Sequence, residues 1–167
     1  MIRAIGVDPG TAITGWGVVE QTTDGQTLHM VAYGAIRTPA KTPLSERLIT
    51  IYDSLEEIIA EYQPHTSALE VLFFSRNTTT ALSVGHGRGV AMLALAKAGL
   101  SVAEYKPLEI KQAVVGYGGA DKGQVQRMVK LLLNLDDIPK PDDAADGLAV
   151  AICHLHSARL QLLLDNA

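Results

Sequence analysis

Four carboxylates in apolar surroundings are the most informative residues of this 167-residue chain. Asp8 closes the apolar run 2–7, Glu70 interrupts the run 68–74, and Asp143 and Asp146 open an alanine-rich segment. Two carboxylates about 4 Å apart repel each other by roughly 4 kcal/mol at an effective dielectric near 20. If the fold brings these four acids together, the cluster therefore needs cations.

The chemistry of such a cluster depends on its ligand atoms, which are all oxygens. Oxygen ligands favour a hard divalent cation, Mg²⁺ or Mn²⁺. Two such ions about 3.5–4 Å apart can activate a water molecule and stabilise the leaving oxygen in phosphodiester hydrolysis. Asp143 and Asp146 also have a purely structural interpretation, because acids in a first helical turn complement the helix dipole and cap free N–H groups. Glu70 fits a structural role less well, since an unpaired buried carboxylate is destabilising.

Length and composition predict one globular domain over residues 1–167. With 47% hydrophobic residues the chain can bury a sizeable core, and we expect a frayed tail over about the last ten residues. The sequence contains neither an apolar run of about 18 residues nor a signal-peptide pattern, so we expect a cytoplasmic protein with no membrane partner. The only cysteine, Cys153, excludes a disulfide framework and a cysteine-based zinc site.

The net charge of −4 is unevenly distributed. Residues 76–140 carry nine basic and five acidic side chains, a local net charge of +4, so the remainder carries −8. This asymmetry is compatible with a basic surface beside an acidic site, as a metal-dependent nuclease requires. Taken alone, however, the charge pattern is more simply explained by an ordinary solvated surface.

The order of predicted elements indicates an α/β fold. Strands over residues 2–7, 15–21 and 27–38 form a meander, with a hairpin signal at Asp24-Gly25 between the last two. A helix follows, which we expect to be capped by Thr42, with Pro43 at its first position, and to end near residue 63. Strands and helices then alternate: a strand over 66–72, a helix over 79–98 and a strand over 100–105. Helices after Pro107, Asp121 and Pro141 complete the chain. We expect a mixed sheet, an antiparallel meander plus parallel strands, flanked by helices.

The predicted topology also places two of the acids. If the strands that carry Asp8 and Glu70 are parallel neighbours, both side chains emerge at the carboxyl edge of the sheet, where sites in open α/β sheets collect. The loop after the first strand has a second interpretation. Its Asp8-Pro9-Gly10-Thr11 sequence resembles a phosphate loop of actin-like and sugar-kinase ATPases. An ATP-binding fragment is therefore the alternative, although those ATPases use two related domains and this chain is too short for both.

Several motifs in combination resemble one family, the RuvC family of bacterial Holliday junction resolvases, which are ribonuclease H-like nucleases. The matching stretches are Gly6-Val7-Asp8-Pro9-Gly10 with Thr14-Gly15-Trp16-Gly17, Leu69-Glu70 with Phe73 and Asn77, Arg88-Gly89-Val90-Ala91, Lys111-Gln112-Ala113-Val114-Val115-Gly116 with Lys122-Gly123-Gln124-Val125, and Asp142-Asp143-Ala144-Ala145-Asp146-Gly147-Leu148-Ala149. The resemblance implies a homodimer that cleaves four-way DNA junctions by paired symmetric nicks in recombination and repair, with RuvA and RuvB as partners. It also implies two Mg²⁺ or Mn²⁺ ions held by Asp8, Glu70, Asp143 and Asp146.

The same resemblance implies which residues meet DNA. Lys111 and Lys122 would lie near the scissile phosphate and take part in catalysis, and Phe73 would meet bases at the junction centre, where stacking contributes about 1–3 kcal/mol per base. Weaker candidates for DNA contact are Arg76, Asn77 and Arg88. Solvated lysines and a core phenylalanine are the alternatives. On the helix over 79–98, apolar residues beyond those needed for packing predict part of the dimer interface: Ala91, Leu93, Ala94 and Leu95.

Overall fold

The computed structural model describes the chain over residues 1–71 and 78–165, and its side chains through residue 158 within those ranges. The strands in this part of the chain are β1 (Ile2–Asp8), β2 (Ile13–Gln21), β3 (Leu28–Arg37), β4 (Thr66–Glu70) and β5 (Val102–Tyr105). The helices are α1 (Leu44–Tyr62), α2 (Thr78–Lys97), α3 (Pro107–Val115), α4 (Lys122–Leu132) and α5 (Asp142–Asp165).

The strands form one mixed sheet in the order β3-β2-β1-β4-β5. The first three strands pair antiparallel, whereas β4 pairs parallel to β1 and β5 parallel to β4. Val7 of β1 lies opposite Leu69 of β4. The next residue on each strand, Asp8 and Glu70, therefore emerges at the same carboxyl edge, and the predicted α/β fold class is confirmed.

Helices cover both faces of the sheet, and the side chains of β1 point to both faces. Ala4 packs in a core with α3, α4 and α5, through residues that include Val129 and Leu148. Ile5 and Val7 pack in a second core on the opposite face, with α1 and α2. A central strand that is buried on both faces is apolar nearly throughout, as the sequence of β1 is.

Two local predictions about helix starts have different outcomes. The capping box of α4 is present: Asp121 Oδ1 accepts from the Gln124 backbone N–H at 2.8 Å, and Gln124 Oε1 accepts from the Asp121 N–H at 2.8 Å. The predicted Thr42 cap is wrong, because α1 begins at Leu44 and Pro43 itself occupies the cap position with an extended ψ of 141°. No side chain caps that helix end, which is exposed to solvent.

The predicted interface on α2 is also wrong for three of its four residues. Ala91, Ala94 and Leu95 are fully buried in the core between α2, α1 and the sheet, while Leu93 is 53% exposed. Helical spacing alone did not separate the face that packs on the sheet from the face that meets solvent. None of the helices in residues 1–71 and 78–165 combines the length and hydropathy of a membrane span.

Candidate active site

Helix α5 lies in direct backbone contact with β2, and this contact positions two of the acids. A Cβ added to Gly15 would lie 1.8 Å from the Asp143 carbonyl oxygen, and one added to Gly147 would lie 2.5 Å from the Trp16 backbone. Only residues without a side chain permit this approach. As a result, the first turns of α5 lie over the sheet edge where β1 ends.

Three carboxylates meet at that point. Each of Asp8, Asp143 and Asp146 offers an oxygen that lies within 4.8 Å of the oxygens of the other two, and all three side chains are half-buried. We call these three residues the acid cluster. Asp8 comes from the end of β1 and the other two from the first turns of α5.

Glu70 joins the acid cluster through Asp8, with which it shares a side-chain hydrogen bond. Burial, followed by the charges of Glu70 and Asp146, raises the pKa of Asp8 to about 9. Burial also raises the pKa of Glu70, although the hydrogen bond with Asp8 and the charges of nearby lysines oppose that shift. At neutral pH one proton therefore resides on Asp8, which donates to the Glu70 carboxylate.

Asp146 has a cationic partner. The Lys122 Nζ lies 3.1 Å from Asp146 Oδ2, at the start of α4. Burial raises the pKa of Asp146, and the hydrogen bond from Lys122 only partly offsets it. Burial lowers the pKa of Lys122, but the hydrogen bond to Asp146 and the charges of the neighbouring acids outweigh burial, so its pKa lies above the ordinary value.

The acids open into a cavity of about 330 Å³ that both predicted lysines also line. Its walls are Asp8, Glu70, Pro107, Ile110, Lys111, Lys122, Val125, Asp146 and Ala149. Lys111 is carried by α3, which starts at Pro107 and is fixed there by a 2.7 Å hydrogen bond from the Lys106 N–H to Glu109. Asp143 belongs to the acid cluster but does not line the cavity.

Four further residues are predicted to contact DNA. Phe73, Arg76 and Asn77 lie outside the described residues. Arg88 does not line the cavity, and its guanidinium pairs with Glu104 of β5. Cys153 of α5 is buried in the core that α5 forms with the sheet.

Sequence reasoning missed both of these ion pairs. Lys122 and Asp146 are 24 residues apart, and Arg88 and Glu104 are 16 apart. Nothing local in the sequence marks such partners, because their proximity depends on how α4 and α2 pack. A lysine at the first position of a capped helix was the only available hint that Lys122 has a fixed backbone position.

The donor set fits a divalent cation. The acid cluster and Glu70 supply carboxylate oxygens only, and Lys111 and Lys122 offset only part of their charge. Hard cations such as Mg²⁺ and Mn²⁺ prefer this chemistry. The relatives of this chain also suggest that it depends on a divalent metal.

Comparison with known proteins agrees with this geometry. The model of the family "Crossover junction endodeoxyribonuclease RuvC" matches residues 4–154. The relative from Chloroflexus aggregans is 59% identical over 157 residues, which cover 94% of each chain. Thermus thermophilus RuvC, at 33% identity, superposes with a TM-score of 0.88 over 96% of this chain and 97% of that one. T. thermophilus RuvC in complex with a Holliday junction substrate, at 32% identity and the same coverage, superposes with a TM-score of 0.90.

The fold and its relatives define a ribonuclease H-like nuclease, and a cluster of acids lies at the edge of its sheet. The chain belongs to the RuvC family of crossover junction endodeoxyribonucleases. The ATP-binding alternative is not favoured, because the family match includes the loop after β1 together with α3, α4 and most of α5.

Proposed function

We propose that this protein resolves four-way DNA junctions by metal-dependent hydrolysis of phosphodiester bonds, in homologous recombination and DNA repair. The observation that supports this most directly is the acid cluster, two of whose members, Asp8 and Asp146, line one cavity with Glu70 and two lysines. Substrate choice is supported by the T. thermophilus RuvC whose structure was solved with a Holliday junction substrate.

Asp8, Glu70, Asp143 and Asp146 would hold two Mg²⁺ or Mn²⁺ ions. Such ions, when bound, activate water and stabilise a leaving oxygen in phosphodiester hydrolysis. The chain's own contribution is a rigid set of oxygens from two strands and one helix, all meeting at the sheet edge. Because burial raises the pKa of Asp8 to about 9, Asp8 would have to lose its proton to serve as a ligand.

Lys111 and Lys122, which line the same cavity as Asp8, Glu70 and Asp146, would face the reacting phosphate. Fixed positive charges near a phosphate stabilise the charge that develops in the transition state. The remaining proposed DNA contacts are Phe73, Arg76, Asn77 and Arg88. Arg88 would contact a phosphate through guanidinium N–H groups other than the one that pairs with Glu104.

A four-way junction has two equivalent strands to cut, which calls for two active sites related by a two-fold axis. We therefore infer a homodimer. Its proposed interface is a face of α2 at helical spacing, where Leu82 and Leu93 are 65% and 53% exposed. Between them, a Cβ added at Gly85 or Gly89 would have no neighbour within 4 Å, so a second helix could approach closely. RuvA and RuvB in the cytoplasm are the proposed partners.

The test compares cleavage of a four-way junction with cleavage of a linear duplex, in Mg²⁺, Mn²⁺ or EDTA. Asp8→Asn and Glu70→Gln should abolish cleavage and leave junction binding largely intact, because each removes a ligand and no basic residue. Asp142→Asn is the matched control, since Asp142 neighbours the acid cluster in sequence but pairs with Lys140. Substantial cleavage by both active-site variants would contradict the proposal.

A further inference from the structure

One cation is tied directly to the acid cluster. Lys122 Nζ lies 3.1 Å from Asp146 Oδ2, and the Asp146 side chain is only 25% exposed. The reciprocal hydrogen bonds between Asp121 and Gln124 fix the first turn of α4, where Lys122 sits. The ammonium group is thus held by a rigid helix end, and it occupies one of the two carboxylate oxygens of a proposed metal ligand.

Two other lysines show that this contact is specific. Lys111 lines the same cavity, yet among the described residues it forms no ion pair with a carboxylate. Lys140 forms an ion pair of similar length, 3.0 Å, but its partner is Asp142, which is not in the acid cluster. Lys122 alone among these three combines an ion pair with a position in the cavity.

An ammonium and a divalent cation cannot share one carboxylate oxygen without repulsion. An ion that takes Asp146 as a ligand must displace Lys122 or bind beside it against a positive charge. We propose that Lys122 acts as an internal counter-cation of Asp146 that competes with the divalent metal and lowers its affinity for this site. The inference rests on the proposed metal site and assigns Lys122 a role before any DNA is bound.

The experiment titrates Mn²⁺ into metal-stripped, DNA-free protein and follows binding by calorimetry, with free Mn²⁺ counted by electron paramagnetic resonance. Lys122→Met should bind Mn²⁺ about two- to fivefold more tightly than the unsubstituted protein, the upper part of the range expected for loss of a partly exposed ion pair. Lys122→Gln repeats the test with a polar side chain. Circular dichroism confirms that each variant is folded.

Two matched variants separate the ion pair from general charge. Lys111→Met removes one positive charge from the same cavity without breaking a pair, so its Mn²⁺ affinity should rise by less than about twofold. Lys140→Met breaks a neighbouring pair outside the acid cluster and should leave the affinity unchanged. If Lys122→Met and Lys122→Gln bind no more tightly, or if Lys111→Met gains as much, the inference is wrong. If the unsubstituted protein neither binds Mn²⁺ nor cleaves a junction, the proposed function itself fails.

Discussion

Replacing Asp8 with asparagine should stabilise the metal-stripped protein while it abolishes cleavage. The Asp8 carboxyl is buried beside Glu70 and Asp146, and its pKa is raised from 3.8 to about 9. Asparagine has nearly the same shape and carries no charge, and its amide can still donate to Glu70. Asp8→Asn therefore removes the free-energy cost of protonating a buried carboxyl on folding, and it opens no cavity.

The size of the effect follows from this pKa difference. At pH 7 the Asp8 carboxyl is ionised in the unfolded protein and protonated in the folded one. Each pH unit above 3.8 therefore lowers the free energy of unfolding by 1.36 kcal/mol, which amounts to about 4 kcal/mol between pH 3.8 and pH 7. This is an upper limit, because water and side-chain movement can relieve part of the repulsion. We expect a gain of about 2–4 kcal/mol, or an increase of about 5–12 °C in the unfolding temperature of a chain of this size.

The sign of the pH dependence is fixed by proton binding. Between pH 4 and pH 9 the folded protein binds the Asp8 proton and the unfolded protein does not. Stability of the unsubstituted protein therefore falls as pH rises through this window. The variant lacks this contribution, so its advantage should vanish near pH 4 and grow toward pH 9.

Urea unfolding in EDTA at pH 4, 5.5, 7 and 8.5 measures this difference. Asp142→Asn is the control, because its hydrogen bond with Lys140 lowers the pKa of Asp142 and its removal should bring no gain. Added Mn²⁺ should stabilise the unsubstituted protein more than Asp8→Asn. Equal stability of Asp8→Asn and the unsubstituted protein at pH 7 and 8.5 in EDTA would refute the electrostatic account of the site.

Three further predictions test positioning, chemistry and assembly. Gly147→Ala should lower the free energy of unfolding by about 1–3 kcal/mol and slow cleavage by about 100-fold, because the added methyl pushes α5 off β2. Gly123→Ala is the control in denaturation and cleavage assays, because its methyl would meet only side-chain atoms, of Arg127 at 3.1 Å and Asp121 at 3.2 Å, and no backbone of another element. Lys111→Ala should slow single-turnover cleavage by about 100-fold but weaken junction binding by less than about threefold, whereas equal losses would place Lys111 outside the active centre. Leu93→Glu should weaken dimerisation at least about tenfold, as measured by sedimentation. Leu131→Glu, at a 71% exposed position on α4, is the control and should not weaken it. If the unsubstituted protein is a monomer both free and on DNA, the proposed interface is wrong.

Much of the fold could be predicted because its signals are local. The Asp121 capping box and the apolar run of β1 each depend on residues close in sequence. The parallel pairing of β1 with β4 also followed from general topology. Errors arose where one local pattern allows two placements: the start of α1 at Pro43, and the face of α2 that packs on the sheet.

The acids themselves were identifiable from sequence, since a carboxylate within an apolar element is costly wherever it is buried. The sequence alone thus determined the chemical character of the site, its hard oxygen ligands and the family that uses them. Only the tertiary structure decided that Asp8 shares its proton with Glu70, that Lys122 pairs with Asp146, and that Gly15 lets α5 touch β2. The physical reason is distance: Coulombic and packing energies depend on separations of a few ångströms between residues far apart in the chain, and those separations exist only once helices and sheet are packed.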